Sequence, residues 1–175
     1  KIAWNLQMRD RDAADKAVAG STGLQPSLLD PSTVGRNMFG LSYPGGNNPM
    51  TYPDVNGNRK PDYSTIPSSM AEYPAIGHDR RYDNLKIRGA SGLFADTRAL
   101  GADWQFVGED LSIAYFPYLD PNTRAQSGVL GIGLGLAVLG KTIYAVATPN
   151  SLANIIAWYH ISNMGVTNSP SKKNK

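Results

Sequence analysis

The chain has 175 residues, 41% of them hydrophobic and 18% charged, with no cysteine and a formal net charge of +3. This length suggests one domain that can bury a core, and without cysteine that core must hold any site together by packing alone. The mild positive charge favours anionic surfaces, membranes included, but no basic stripe interleaved with aromatic residues indicates a nucleic-acid partner. Because the chain opens at Lys1 without an initiator Met or an apolar leader, we expect an excised domain or a processed product.

The first part of the chain predicts one helix followed by a long irregular region. Residues 2–19 combine alanines with paired charges and predict a helix with a solvated face, ended by the glycines after it. Residues 24–69 are rich in Pro, Gly, Asn and Ser and predict loops with short extended pieces. Residues 54–62 alternate oxygen-bearing side chains as a calcium loop does, but a hairpin turn at Asn56-Gly57 explains them better.

Two helices are predicted in the centre of the chain. The first covers residues 72–87, with Pro74 in its first turn, where a missing N–H costs nothing, and with Gly89 as its stop. The second covers residues 92–110. Polar chemistry is concentrated on these two segments, so their pairing decides what the chain can do.

The last part of the chain is predicted to be apolar and helical, with a polar tail. Pro117 and Pro121 predict a turn, residues 128–147 form the most apolar run, and residues 152–161 predict a helix capped by the preceding Ser151. Residues 163–175 are polar and Lys-rich and are predicted to be disordered. For residues 128–140, core or partner packing is favoured over membrane contact, because 13 residues are too few to span a bilayer.

The first central helix carries the run His78-Asp79-Arg80-Arg81-Tyr82. His78 and Tyr82 are four residues apart and share a helix face, whereas Asp79 points roughly 100° away. An antiparallel pairing with the second helix would place Asp103 beside the His78 ring. A base, a carboxylate that orients it and a further carboxylate for a metal together indicate a hydrolase.

This pattern resembles the H-D-x-x-Y motif of the calcium-dependent phospholipases A2, above all the cysteine-free forms of parvovirus capsid proteins and bacterial toxin domains. Gly89 lies eleven residues after the His, as in the parvoviral type, and Ala102-Asp103-Trp104-Gln105-Phe106 matches its A-D-x-x-F element. The family's glycine-rich calcium loop is similar to Tyr43-Pro44-Gly45-Gly46-Asn47. The resemblance covers residues 43–107 and departs from the family in the longer stretch between the loop and His78.

The resemblance implies a role for each catalytic residue. His78 would be the general base, Asp103 the carboxylate that fixes its tautomer, and Tyr82 a hydrogen-bond partner of that carboxylate. Asp96 and Asp83 are rivals of Asp103 for the orienting role, and Tyr82 is alternatively an ordinary core tyrosine.

The resemblance also implies calcium as the cofactor, with Asp79 as its carboxylate ligand. Calcium takes six to eight oxygen ligands, so one carboxylate is not enough. Backbone carbonyls of the glycine loop would supply the remainder, with Tyr43, Gly45 and Asn47 as the leading donors and Gly46 close behind.

Two other motifs are rejected. Residues 135–142 match the phosphate-loop pattern G-x-x-x-x-G-K-T, but the interior is wholly apolar and too little chain follows for a nucleotide-binding sheet, so no nucleotide is expected. A His-Asp metal phosphohydrolase would need a further histidine upstream, and the other histidine, His160, lies far downstream.

We therefore expect a mainly α, single-domain fold over residues 1–162: a phospholipase A2-like pair of antiparallel helices, an irregular calcium loop upstream and an apolar helical C-terminal half. The implied activity is calcium-dependent hydrolysis of the sn-2 acyl ester of membrane glycerophospholipids. The implied setting is a bacterial effector or toxin domain, secreted or delivered into a target cell and neutralised by an immunity protein. The alternatives are a non-catalytic, calcium-dependent membrane-binding module and, for residues 111–161, a structural or adaptor domain.

Overall fold

The computed structural model describes residues 38–45, 60–148 and 151–171. The helix predicted at residues 2–19 and the predicted ligands Gly46 and Asn47 lie outside this part of the chain. The chain divides into two compact units, Lys1–Ser68 with Ser171–Lys175, and Ser69–Pro170. The prediction of a single domain over residues 1–162 stays a prediction.

The described residues of the first unit form tight turns. A short 3-10 turn covers Met38–Gly40, in which Phe39 and Gly40 have φ values of 59° and 68°, and Gly45 has a φ of 140°. Tyr43 is buried, and its hydroxyl donates to the carbonyl of Thr65 at 2.8 Å. Glycine suits positions 40 and 45 because side chains disfavour such φ values.

The described part of the second unit contains five α-helices. They are α1 (Glu72–Leu85), α2 (Gly89–Phe94), α3 (Leu100–Tyr115), α4 (Pro121–Ala147) and α5 (Ser151–Ser162), with a 3-10 turn at Thr97–Ala99 before α3. Residues 38–45, 60–148 and 151–171 form no β-strand. The prediction of a mainly α fold is confirmed.

The end of α1 differs from the prediction. Lys86 has a left-handed φ of 55° and its N–H bonds the carbonyls of Asp83 and Tyr82, so the helix ends at Leu85. Gly89 begins α2 instead of stopping α1. A lysine does not indicate the end of a helix in a sequence, because glycine or asparagine is the residue that normally occupies such a cap.

The helix predicted at residues 92–110 is interrupted. Its first part belongs to α2, and Asp96 then caps the 3-10 turn by accepting a hydrogen bond from the Arg98 N–H at 3.1 Å. The helix then runs on as α3, beyond the predicted end, to Tyr115. An aspartate that satisfies free N–H groups at a helix start explains the break.

The turn predicted at Pro117 and Pro121 is present at residues 117–119, and α4 begins soon after it, earlier than the apolar run at residues 128–147 indicated. Asp120 accepts a hydrogen bond from the Thr123 N–H at 2.9 Å, and Pro121 takes the first helical position. Aspartate at the cap and proline just inside the helix form a regular start signal. The phosphate-loop-like residues 135–142 lie within this helix and therefore form no loop.

Small residues let α3 approach its neighbours closely. A Cβ added at Gly131 of α4 would lie 3.2 Å from the Asp110 Cβ, and one at Gly101 of α3 would lie 2.8 Å from the Tyr159 ring of α5. The α1 residues Ile76 and Tyr82 are buried with Ala102 and Phe106 of α3. These contacts place the polar side chains of α1, α3 and α4 in one interior.

Hydrogen bonds connect residues 163–169 to α1 and α3, while the predicted disorder of residues 163–175 stays a prediction. The Arg80 guanidinium of α1 donates to the Thr167 hydroxyl at 2.7 Å and to the Ser169 carbonyl at 2.8 Å. The Asn84 amide donates to the Met164 carbonyl at 2.9 Å, and the Asn168 amide to a Glu109 carboxylate oxygen at 2.9 Å. Partners on α1 and α3 hold this segment, and its own composition could not reveal them.

One face of α4 is apolar and exposed. Its large exposed side chains recur at alternating spacings of three and four residues: Val129, Ile132, Leu136, Leu139, Ile143 and Val146. We call these six residues the α4 stripe. By length and composition alone, α4 could also cross a membrane. The helix is thus longer than the 13-residue apolar run suggested.

Candidate active site

The structure brings His78, Tyr82 and Asp103 together. His78 and Tyr82 project from α1, and Asp103 projects from α3. The His78 Nε2 lies 2.9 Å from Asp103 Oδ1, and the Tyr82 hydroxyl donates to the same oxygen at 2.7 Å. The three residues therefore form one hydrogen-bonded group.

Lys141 of α4 completes this group, and the sequence analysis missed it. Its ammonium donates to Asp103 Oδ2 at 2.5 Å and to the Gly92 carbonyl at 2.8 Å. The side chains of Lys141 and Asp103 are both 0% exposed. A signal existed, because Lys141 follows the buried Val138 by three residues and precedes the buried Ala145 by four, which places it on the inward face of α4.

The ring of His78 is fixed on several sides. It lies 4.3 Å from the Tyr82 ring and 5.2 Å, edge to face, from the Phe106 ring. Since Nε2 faces Asp103, Nδ1 is the ring nitrogen on the other side, away from that carboxylate. Nδ1 lies 3.7 Å from the Asp79 carboxylate.

The charges around His78 control its protonation. Burial lowers the pKa of His78, but the hydrogen bonds and negative charges of Asp103 and Asp79 outweigh burial and raise this pKa to about 9. Burial raises the pKa of Asp79 to about 6, against the opposing effect of His78. With both carboxylates beside it, the imidazole of His78 holds its proton at neutral pH.

Tyr82 serves as a hydrogen-bond donor. Burial, together with the negative charge of Asp103, raises the pKa of the Tyr82 hydroxyl far above its usual range. The hydroxyl therefore keeps its proton and donates a hydrogen bond to Asp103.

Asp96, one of the two rivals of Asp103, is engaged elsewhere. Its carboxylate pairs with the Arg98 guanidinium, with Nε 2.9 Å from Oδ1. The hydrogen bond from Arg98 lowers the pKa of Asp96.

Asp83, the other rival, lies in the last turn of α1. Its negative charge raises the pKa of Asp79. Of the three aspartates, Asp103 supplies the oxygen that contacts His78 Nε2.

Asp79 has the chemistry of a calcium ligand. Its carboxylate is 21% exposed and lies beside Nδ1 of His78, the nitrogen that Asp103 leaves available. Among residues 38–45, 60–148 and 151–171, no group of three or more His, Asp or Glu is placed to hold a metal ion. A cation at Asp79 would therefore draw its other ligands from carbonyl oxygens or water.

The remaining predicted ligands belong to the first unit. Tyr43 and Gly45 lie in its tight turns, while Gly46 and Asn47 fall outside the described residues. His160, the second histidine, is exposed on α5 with its ring 5.8 Å from that of Tyr159, away from the residues grouped around Asp103.

Comparison with known proteins assigns no family to this arrangement. No protein-family model, curated protein or solved structure matches the chain.

Proposed function

We propose that the chain is a calcium-dependent phospholipase A2 that hydrolyses the sn-2 acyl ester of glycerophospholipids at a membrane surface. The observation that carries this proposal is the contact between His78 Nε2 and the buried Asp103 carboxylate, with Tyr82 on the same oxygen. A histidine held by a buried carboxylate through one nitrogen can act as a general base through the other.

In the proposed reaction, Nδ1 of His78 takes a proton from water as the water oxygen attacks the acyl carbon. The Asp103 carboxylate stabilises the imidazolium that forms, and Tyr82 keeps that carboxylate in place. The bond between the acyl carbon and the glycerol oxygen then breaks, and His78 returns its proton to that oxygen. The products are a fatty acid and a lysophospholipid.

Asp79 is the proposed carboxylate ligand of calcium. When bound, calcium supplies a positive charge that polarises the ester carbonyl and stabilises the oxyanion. A cation held by Asp79 would offset the share of that carboxylate in the raised pKa of His78, which favours the neutral imidazole that a base requires. The part of the loop at residues 43–47 in completing the calcium shell stays a prediction.

The α4 stripe supports action at a membrane. Its six side chains are apolar and exposed on a helix whose charged residues are Arg124 and Lys141, the latter buried. An exposed apolar face of this kind is typical of proteins that contact lipid or another protein. From the resemblance, we further propose a bacterial effector or toxin domain that is secreted or delivered into a target cell and neutralised by an immunity protein.

The proposal is tested by replacing His78 and, as a matched control, the exposed His160. His78→Gln should lower turnover of a fluorogenic phospholipid by on the order of 10²–10⁴-fold, whereas His160→Gln should leave it unchanged. Circular dichroism checks that both variants fold.

Metal dependence is measured in the same assay. Wild-type activity should disappear with a chelator and return with calcium but not with magnesium, which needs a smaller octahedral shell. Calcium-dependent vesicle binding without turnover by the wild type would instead identify a non-catalytic membrane-binding module. Equal activity of His78→Gln and wild type would overturn the proposed mechanism.

A further inference from the structure

We propose that Lys141 is a positioning residue of this site, which holds Asp103 in place so that Asp103 can orient His78. The inference rests on the proposed function and extends it to a residue that the H-D-x-x-Y pattern does not contain.

The two oxygens of Asp103 have different partners. Oδ1 contacts His78 and Tyr82, and Oδ2 accepts from the Lys141 ammonium at 2.5 Å. The lysine thus holds the side of the carboxylate that faces away from the histidine. A carboxylate held at both oxygens has little freedom to rotate away from Nε2.

Charge balance explains why a lysine occupies this position. When His78 acts as a base it is neutral, and the Tyr82 hydroxyl is neutral as well. Asp103 would then be a fully buried negative charge, which is strongly unfavourable without a cation. Lys141 supplies that cation at Oδ2 of Asp103.

A second acceptor fixes the Lys141 ammonium. The Gly92 carbonyl of α2 lies 2.8 Å from Nζ. A Cβ added at Gly92 would lie 2.2 Å from Ile87 Cγ2 and 2.9 Å from Tyr82 Cε1, so glycine lets α2 approach this closely. The lysine is therefore held by both α2 and α3.

Because its side chain is 0% exposed, Lys141 acts through Asp103 and does not touch the substrate. Its loss should consequently lower kcat and leave KM nearly unchanged. A role in stability alone would leave the kcat of the folded protein unchanged.

The test begins with Lys141→Met, which keeps a long apolar stem, and Lys86→Met, which changes an exposed lysine. In Lys141→Met, kcat should fall on the order of 10²-fold or more with little change in KM, while Lys86→Met should match wild type. Wild-type kcat in folded Lys141→Met would overturn the inference.

A rescue experiment covers the case in which Lys141→Met folds poorly. The chain contains no cysteine, so Lys141→Cys can be aminoethylated selectively in denaturant and refolded, which restores an ammonium at nearly the lysine position. The aminoethylated protein should regain most of the kcat that Lys141→Cys loses. Regained folding without regained kcat would assign Lys141 a purely structural role and overturn the inference.

Nuclear magnetic resonance separates this inference from the proposed function. With His160→Gln as the background, the remaining imidazole signals belong to His78. The hydrogen-bonded Nε2 proton should be visible in that background and lost on adding Lys141→Met. If the wild type fails to hydrolyse phospholipid, the proposed function fails, yet this signal still decides whether Lys141 positions the pair.

Discussion

Asp103 accepts hydrogen bonds from His78, Tyr82 and Lys141 while its side chain is 0% exposed. Each donor reaches it from a separate helical position, so the carboxylate joins α1, α3 and α4 at one point. In the proposed mechanism the same side chain serves both packing and chemistry. Replacing it should disturb both, in contrast to an exposed catalytic carboxylate.

Asp103→Asn should therefore lose both stability and activity. The change leaves the buried Lys141 ammonium without its counter-charge, and breaking a buried ion pair in this way costs about 3–5 kcal/mol of unfolding free energy. From the sequence alone, only activity would be expected to fall. Chemical denaturation and initial rates of phospholipid hydrolysis measure the two effects.

Asp96→Asn is the matched control. Asparagine still caps the 3-10 turn, and the partly exposed pair with Arg98 is worth about 1 kcal/mol or less. We expect near wild-type rates and a small loss of stability. If the Asp96 variant were inactive and the Asp103 variant active, Asp103 would not be the orienting carboxylate.

At this scale the sequence predicted the contacts that follow from helical spacing. His78 and Tyr82 lie four residues apart on one helix, and Asp103 follows from a single helix pairing. Lys141 was missed because it lies 38 residues after Asp103 in a run that is otherwise apolar. Only the face that Lys141 shares with Val138 and Ala145 indicated its burial.

Among the helices, α1 was predicted almost to the residue, whereas the start of α4 was not. The start of α1 follows from Pro74 in its first turn, a signal that is visible in the sequence. Asp120 and Pro121 also form a helix start, but the dipeptide equally suits a turn, and only the helix that follows decides between them. The hydrogen bonds of residues 163–169 with Arg80 and Asn84 join positions that are far apart in sequence, so they could not be predicted.

The α4 stripe leads to a prediction at the level of the element. The double change Leu136→Glu and Leu139→Glu should lower activity on phospholipid vesicles by about 10-fold or more, because burial of each leucine in lipid is worth about 1.5–3 kcal/mol. Activity on a monomeric short-chain phospholipid should stay unchanged. Ile156→Glu, at an exposed apolar position of α5, is the control and should leave both activities intact.

Equal losses on vesicles and on the monomeric substrate would contradict a membrane role for the stripe and indicate damage to the site. Sedimentation of both forms adds a further check. A wild-type dimer that the double change converts to a monomer would assign the stripe to contact between copies of this chain.

For the whole molecule, the sequence established the helical class and left the first unit open. Local periodicity in a sequence indicates helices, so the helices of the second unit could be predicted. The loop at residues 43–47 has no such periodicity, and its interpretation rests on resemblance alone. The burial of Asp110 and Ser127 could not be predicted either, since they lie on helices whose neighbours were unknown.

Asp110 makes the stability of the molecule depend on pH. Its side chain is fully buried between α3 and α4, and neither carboxylate oxygen makes a hydrogen bond of standard geometry within the described residues. Burial raises the pKa of Asp110 to about 8; the Ser127 hydroxyl is close enough to oppose this shift only in part. The folded chain thus binds this proton more tightly than the unfolded chain.

The sign of the effect follows from this difference. Because the folded-state pKa of about 8 exceeds the ordinary aspartate pKa of 3.8, the contribution of Asp110 to stability falls as pH rises between these values. The slope approaches about 1.4 kcal/mol per pH unit. Asp110→Asn should remove this slope and make the protein more stable than wild type at pH 8, as urea denaturation at several pH values would show. Parallel pH profiles for the two proteins would mean that Asp110 is ionised in the folded state and that a partner compensates its charge.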